Sequence, residues 1–125
     1  MTFTFDPAGE GLRKVFRDYQ EWALRYVWES GEGVSSRQVW LHVNEALGVG
    51  KTISRASIIN YLNDMVDEGV LNYVETTGKG GIRRIYSPKL DEGAFKKYVA
   101  RTLMESLLRD FPDETREVIK ELHLQ

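Results

Sequence analysis

Residues 54–87, SRASIINYLNDMVDEGVLNYVETTGKGGIRRIYS, contain a helical pattern followed directly by a strand pattern. Ser54 is a suitable N-cap, and Gly69 is placed to end the helix that Ser54 begins. Between them, apolar residues recur at helical spacing, at Ile58, Leu62, Met65 and Val66. A strand-like run follows at 70–74, and a second one lies at 82–87. The glycine-rich turn between them is at 78–81. The stretch therefore predicts a helix and a β-hairpin.

Two further helices are predicted before this stretch. Apolar residues three and four apart indicate a helix over about 12–30, at Phe16, Tyr19, Ala23, Tyr26 and Val27. A second helix begins at Ser35, because Ser35 and Gln38 have the spacing of a capping box, and it ends at Gly48 and Gly50. Three helices and a glycine-tipped hairpin, in this order, are typical of a winged helix-turn-helix. The predicted fold class is therefore mainly α (α+β), with helices after the hairpin.

The composition of the chain excludes several classes of protein. Of its 125 residues 42% are hydrophobic, which is enough for a core, yet no segment is long and apolar enough to span a bilayer. The chain has no cysteine, which removes disulfides and thiolate metal sites and fits a reducing compartment. Its first residues lack the pattern of a secretory signal. We expect a cytoplasmic protein with no membrane partner.

The charged residues are segregated along the chain. The net charge is −2, but residues 46–63 carry two bases and no acid, and residues 76–90 carry four bases and no acid. The six cations are Lys51, Arg55, Lys79, Arg83, Arg84 and Lys89. Because the two windows cover the start of the third helix and the hairpin, we expect a basic surface that binds double-stranded DNA in spite of the anionic total.

The third helix offers hydrogen-bonding groups in its first half and acids in its second. A helical wheel centred on Leu62 places Ser57 and Asn60 on the solvent side, and we expect the N-terminal half of the helix to enter the major groove. Arg83 and Arg84 are neighbours on a strand and so face opposite sides. The predicted DNA-binding residues are Lys51, Ser54, Arg55, Ser57, Asn60, Lys79, Arg83 and Arg84.

The last third of the chain predicts two helices, one over 91–111 and one over about 113–122, separated at Pro112. Apolar residues recur along one side of the longer helix, at Phe95, Val99, Leu103, Leu107 and Phe111. Such a face usually contacts a second copy of the chain, although packing on the first helix is the alternative. The predicted domains are a flexible arm (1–10), a winged-helix DNA-binding domain (11–90) and a helical dimerisation region (91–125).

No pattern in the sequence predicts catalysis, a metal or a cofactor. Gly50, Lys51 and Thr52 resemble the end of a phosphate-binding loop, but Glu45 stands where that loop needs its first glycine. His42 and His123 have no neighbouring ligand pattern, and the acids are scattered over predicted helix surfaces. We therefore do not expect an enzyme.

Several of these segments resemble the penicillinase and methicillin-resistance repressor family (BlaI/MecI). The similar residues lie at 28–32, 52–63, 70–71 and 85–88. The resemblance implies a homodimer that is joined by its C-terminal helices, binds a palindromic operator and represses adjacent genes. Two features depart from the family: Asp110 and Phe111, followed by Pro112, stand where the antibiotic-resistance repressors have a cleaved Asn-Phe bond, and the cysteine motif of the copper-responsive members is absent. The sequence does not identify an inducer.

One alternative comes from another functional class. A winged-helix protein-interaction module that does not bind DNA would also suit the net negative charge and the acids Asp64, Asp67 and Glu68 in the second half of the third helix. The two hypotheses differ in whether the basic residues come together on one surface.

Overall fold

A computed structural model of the chain describes residues 4–123. The elements are a short 3-10 helix (Gly11–Lys14), α1 (Asp18–Ser30), β1 (Val34–Ser35), α2 (Ser36–Leu47), α3 (Arg55–Asp67), β2 (Leu71–Gly78), β3 (Gly81–Pro88), α4 (Glu92–Asp110) and α5 (Pro112–His123). They form two compact units, the first ending at Asp91 and the second beginning at Glu92. The first unit is a winged helix-turn-helix, so the predicted fold class is confirmed.

The helix boundaries of the first unit follow from local side-chain caps. The Ser35 Oγ accepts a hydrogen bond from the backbone N–H of Gln38 at 3.2 Å, and the Gln38 Oε1 accepts one from the N–H of Ser35 at 2.8 Å. This is the reciprocal capping box that the sequence predicts. At the end of α3, Gly69 adopts a φ of +81°, which glycine reaches without strain, and the N–H of Val70 bonds the Met65 carbonyl.

The hairpin is part of a three-stranded antiparallel sheet in the order β1-β3-β2. Val34 and Ser35 pair with Tyr86 and Ile85, so the strand that leads into α2 is joined to the base of the hairpin. Gly33 makes this approach possible, because a Cβ at that position would collide with the side chain of Ile85. The two-residue strand β1 was not predicted, since it is too short to show alternation.

The predicted helix over 12–30 is wrong at its start. The chain forms a 3-10 helix over Gly11–Lys14, and α1 begins only at Asp18. The reason is local: the backbone N–H of Arg17 bonds the Gln20 Oε1 at 2.9 Å and starts a new helix. The break also allows the apolar residues on both sides of it to be buried: Leu12, Val15, Phe16, Ala23 and Leu24.

The segment predicted as a loosely held arm makes several hydrogen bonds where the structure describes it. The N–H of Asp6 bonds the Lys14 carbonyl at 2.6 Å, and the Lys14 ammonium bonds the carbonyls of Pro7 and Gly9. Residues 1–3 of the predicted arm lie outside the described part of the chain.

The core of the first unit joins all three helices to the sheet. Its largest fully buried side chains are Leu24, Val27, Val39, Val43, Ile58, Leu62, Met65, Val70 and Leu71. Burying a side chain of this size contributes about 1.5–3 kcal/mol, so this cluster dominates the stability of the unit. The core fixes the positions of α2, α3 and the hairpin relative to one another.

The second unit consists of α4 and α5. Pro112 takes the first position of α5, where its missing N–H costs nothing. The Thr115 hydroxyl bonds the carbonyl of Phe111 at 2.7 Å and that of Leu107 at 3.3 Å, which holds the junction between the helices. No helix within residues 4–123 is long and apolar enough to cross a membrane.

Candidate nucleic-acid interface

A depression of about 420 Å³ lies between the hairpin and the first turns of α2 and α3. α2 contributes Arg37 and α3 contributes Arg55, while the hairpin contributes Lys79 and Arg83 from its tip and returning strand. The remaining lining residues are Ser35, Ser36, Gly80, Gly81 and Ile82. Among the described residues, four cations and no acid therefore line the depression. We call it the basic depression.

The charges of the basic depression are available to a ligand. Among the described residues, no carboxylate lies within ion-pairing distance of Arg37, Arg55, Lys79 or Arg83. All four are exposed. The N-terminal turns of two helices add the positive ends of their dipoles. A backbone phosphate has the charge and the acceptor oxygens that this arrangement suits.

The turn before α3 is held by two side chains of α2. The N–H of Ile53 bonds the Asn44 Oδ1 at 2.8 Å, and the Ile53 carbonyl accepts bonds from the Trp40 Nε1 at 2.9 Å and the Asn44 Nδ2 at 3.2 Å. These contacts satisfy both backbone groups of Ile53. They fix the direction in which α3 leaves the turn.

The outward residues of α3 are in different environments. Arg55 and Asn60 are exposed and can reach a ligand. The Ser54 Oγ caps the helix by accepting from the N–H of Ser57 at 3.1 Å, and the Ser54 and Ser57 hydroxyls lie 2.8 Å apart. These two serines therefore already hydrogen-bond each other.

Lys51 has an intramolecular partner. Its ammonium lies 2.7 Å from the Asp18 Oδ2 at the start of α1. This hydrogen bond lowers the pKa of Asp18, so the carboxylate stays ionised and offsets much of the Lys51 charge at neutral pH.

Arg84 lies on the other side of β3 from the basic depression. Its Nη1 donates to the Asn63 Oδ1 of α3 at 3.0 Å, and its guanidinium carbon lies 3.9 Å from the centre of the Tyr73 ring on β2. The Tyr86 hydroxyl donates to the same Asn63 oxygen at 2.6 Å. Burial raises the pKa of Tyr86, so this donor keeps its proton.

The structure thus brings together three of the six cations in the two acid-free windows. Lys51, Arg84 and Lys89 do not line the basic depression. The fourth cation, Arg37, was missed because it lies outside both acid-free windows of the sequence. Its position follows from β1, which pairs with β3 and brings the start of α2 beside the hairpin.

An apolar groove of about 370 Å³ runs between α4 and α5. Its apolar lining residues are Met104, Leu107, Phe111, Val118, Ile119 and Leu122. The predicted apolar stripe of α4 divides along its length: Phe95 is fully buried, Val99 and Leu103 are half-buried, and Leu107 and Phe111 are exposed in the groove. We call this feature the apolar groove.

Residues 4–123 contain no cluster of histidines and acids that could hold a metal ion.

Comparison with known proteins shows the fold. No protein-family model and no curated protein matches the chain. A putative transcriptional regulator from Thermoplasma acidophilum superposes with a TM-score of 0.50 at 15% identity, over 80% of this chain and 90% of that one. H. salinarum RosR gives a TM-score of 0.49 at 16% identity, over 91% and 94%.

Bacillus subtilis PadR in complex with operator DNA gives a TM-score of 0.47 at 21% identity, over 69% of this chain. This chain spans 46% of the length of that PadR chain. The resemblance to the penicillinase and methicillin-resistance repressors is not supported by these comparisons. What the chain shares with the solved regulators is the winged-helix architecture.

Proposed function

We propose that this protein is a sequence-specific DNA-binding transcriptional regulator that binds a palindromic operator as a homodimer and acts as a repressor. The observation that carries the proposal is the basic depression, in which four cations without a carboxylate partner among residues 4–123 lie at the starts of α2 and α3 and in the hairpin. A winged helix presents these same elements to DNA.

The basic depression suits a phosphate of the DNA backbone. Arg37 and Arg83 both line it, and a helix that entered the major groove by its N-terminal end would present the exposed Arg55 and Asn60 to the bases. Guanidinium and carboxamide groups are those that pair with guanine and adenine edges. The acids of α3 lie in its second half, where they would stay outside the groove. Phosphate contacts would set the register, and Arg55 and Asn60 would read the sequence.

The apolar groove supports the homodimer. Phe111, Val118 and Leu122 are 51%, 49% and 61% exposed, which is costly for side chains of this size unless a partner covers them. A second copy of the chain offers the same groove. If the two copies are related by a two-fold axis, each groove can cover the other. A protein with two-fold symmetry binds two half-sites that are related by the same symmetry, and such a DNA site is palindromic.

A salt titration of bound DNA tests the proposal. Fragments selected from random DNA would be titrated with the protein at rising salt concentration. If the three cations Arg37, Lys79 and Arg83 of each subunit contact phosphates, the logarithm of the binding constant falls against log salt with a slope of about −5. The double variant Arg37→Ala/Arg83→Ala should reduce this slope by about two thirds, because four of six contacts are lost.

The matched control is Lys97→Ala/Lys120→Ala, which removes the same charge from exposed positions of the second unit. It should keep most of the slope. Failure to select any fragment, or equal losses in the two double variants, would contradict the proposal and favour a protein-interaction module.

A further inference from the structure

Asn63 connects α3 to the hairpin through a single oxygen. Its Oδ1 accepts hydrogen bonds from the Arg84 Nη1 at 3.0 Å and the Tyr86 hydroxyl at 2.6 Å. Both donors belong to β3, while Asn63 belongs to α3. The Tyr73 ring of β2 packs against a face of the Arg84 guanidinium, whose carbon lies 3.9 Å from the ring centre. The cluster therefore includes α3 and both strands of the hairpin.

The geometry points to Asn63 as a positioning residue that holds the hairpin so that Arg83 and Lys79 face the basic depression. This inference rests on the proposed DNA binding and assigns Arg84 a structural part in it. Arg83 and Arg84 are adjacent on β3, so their side chains leave opposite sides of the strand. Anchoring Arg84 to α3 on one side directs Arg83 toward the starts of α2 and α3 on the other.

The chemistry of the cluster explains why the acceptor matters. Arg84 can only donate, so the Asn63 Oδ1 is the group that holds its Nη1. Tyr86 is 2% exposed and has little access to water in place of that oxygen. Without the acceptor, the half-buried guanidinium would turn toward solvent, and the hairpin would lose its polar contact with α3.

The cluster differs from the packing contacts of the core. Beyond the base, the hairpin is largely exposed: Val74 and Ile82 are 66% and 71% exposed. Few apolar contacts therefore fix the angle of its outer half. A directional contact at Arg84, between the base and the tip, controls that angle more than the buried residues do.

The test is a double-mutant cycle measured by DNA binding. Asn63→Leu removes the acceptor without changing the charge of the protein. We expect at least about tenfold weaker binding and a salt slope smaller by about 3.6, since Lys79 and Arg83 of both subunits lose their phosphates. In the Lys79→Ala/Arg83→Ala background, Asn63→Leu should change binding by less than about twofold, because the residues through which it acts are already absent.

Three further variants make the result specific. Asn72→Leu makes the same chemical change at an exposed position of β2 and should leave the salt slope unchanged. Asn63→Asp keeps an acceptor for Arg84 and should restore the slope. Should Asn63→Leu fail to fold, Tyr73→Val removes the support of Arg84 from a partly exposed position. Tyr73→Val should reduce the salt slope as Asn63→Leu does, but only in protein that retains Lys79 and Arg83.

Two outcomes would overturn the inference and leave the proposed function intact. One is a wild-type protein that binds DNA with the expected slope while Asn63→Leu behaves like Asn72→Leu. The other is an equal loss with Asn63→Leu in both backgrounds, which would mean that Asn63 acts independently of the hairpin cations. Absence of binding by the wild-type protein would instead contradict the proposed function itself.

Discussion

The basic depression of the first unit and the apolar groove of the second are similar in size, about 420 and 370 Å³, but opposite in lining. Four cations and two serines line the first, whereas six of the eight residues that line the second are large apolar side chains. The first suits a phosphate and the second suits another apolar surface. One small chain thus keeps its polar and its apolar contact surfaces in separate units.

The comparison shows that averages over the chain conceal local chemistry. A net charge of −2 argues against nucleic acid, yet no acid of the described residues lines the basic depression. A low mean hydropathy likewise conceals the groove in α4 and α5. The two surfaces should therefore respond to different substitutions, and the following predictions are ordered by the size of the expected effect.

The largest effect is expected in the apolar groove. Leu107→Asp places a charge among apolar side chains and should convert the proposed dimer to a monomer, as measured by light scattering. Binding to a palindrome should weaken by about a hundredfold or more, because two linked half-sites then bind independently. Leu41→Asp, at an exposed leucine of α2, is the control and should remain dimeric. A dimer that persists in Leu107→Asp would place the interface elsewhere.

A smaller effect, but one that depends on DNA sequence, is expected at the start of α3. Arg55→Ala and Asn60→Ala should each cost about 1–3 kcal/mol on the selected site, and less on random DNA. Lys79→Ala should weaken both kinds of DNA alike, since a phosphate contact carries no sequence information. Titrations against the two DNAs measure the difference. Equal losses on both DNAs for Arg55→Ala would assign Arg55 to the backbone.

The smallest effect is expected at Lys51, which already has a partner. Lys51→Met should change DNA affinity by less than about threefold at physiological salt, well below the effect of Lys79→Met, because Asp18 offsets the Lys51 charge in the wild type. A loss as large as that of Lys79→Met would show that DNA displaces Asp18.

The same pair predicts a pH dependence of stability. The pKa of Asp18 is lowered in the folded protein, so the contribution of the pair is present above the unfolded pKa and is lost as the pH falls through the folded one. Lys51 is 66% exposed, and the contribution should therefore be no more than about 1 kcal/mol. Urea unfolding of wild type and Lys51→Met should differ at pH 7 and converge in acid. A difference that persists in acid would exclude the Asp18 carboxylate as its cause.

The features that the sequence predicted correctly depend on residues close together in the chain. The capping box of Ser35 and Gln38, the N-cap at Ser54 and the helix end at Gly69 each act within a few residues. Their geometry is determined by local hydrogen bonds, so a pattern of residue types is enough to find them.

The features that were missed depend on contacts between distant residues. Asp18 meets Lys51 across 33 residues, and Asn63 meets Arg84 across 21. Counting charges along the chain cannot distinguish Lys51 and Arg84, which have intramolecular partners, from the cations of the basic depression. Arg37 was missed for the converse reason, because it joins the depression only through the pairing of β1 with β3.

For α4, the spacing of apolar residues likewise predicted only part of what the structure shows. It identified one apolar side of the helix, but Phe95 is buried within the chain and Phe111 is half exposed. The spacing of four residues is the same at both ends. What differs is the surroundings of each residue, and these are determined by tertiary structure.

The strand register determines how this hairpin can change in length. β2 and β3 pair residue for residue from Leu71 and Pro88 to Gly78 and Gly81. Inserting one residue into each strand below Arg83 would move that arginine to the opposite side of the sheet. Inserting two into each strand would keep it on its present side and extend the tip by about 7 Å. Homologues or designed variants with longer hairpins should therefore grow in steps of four residues if they keep the cation on the same side.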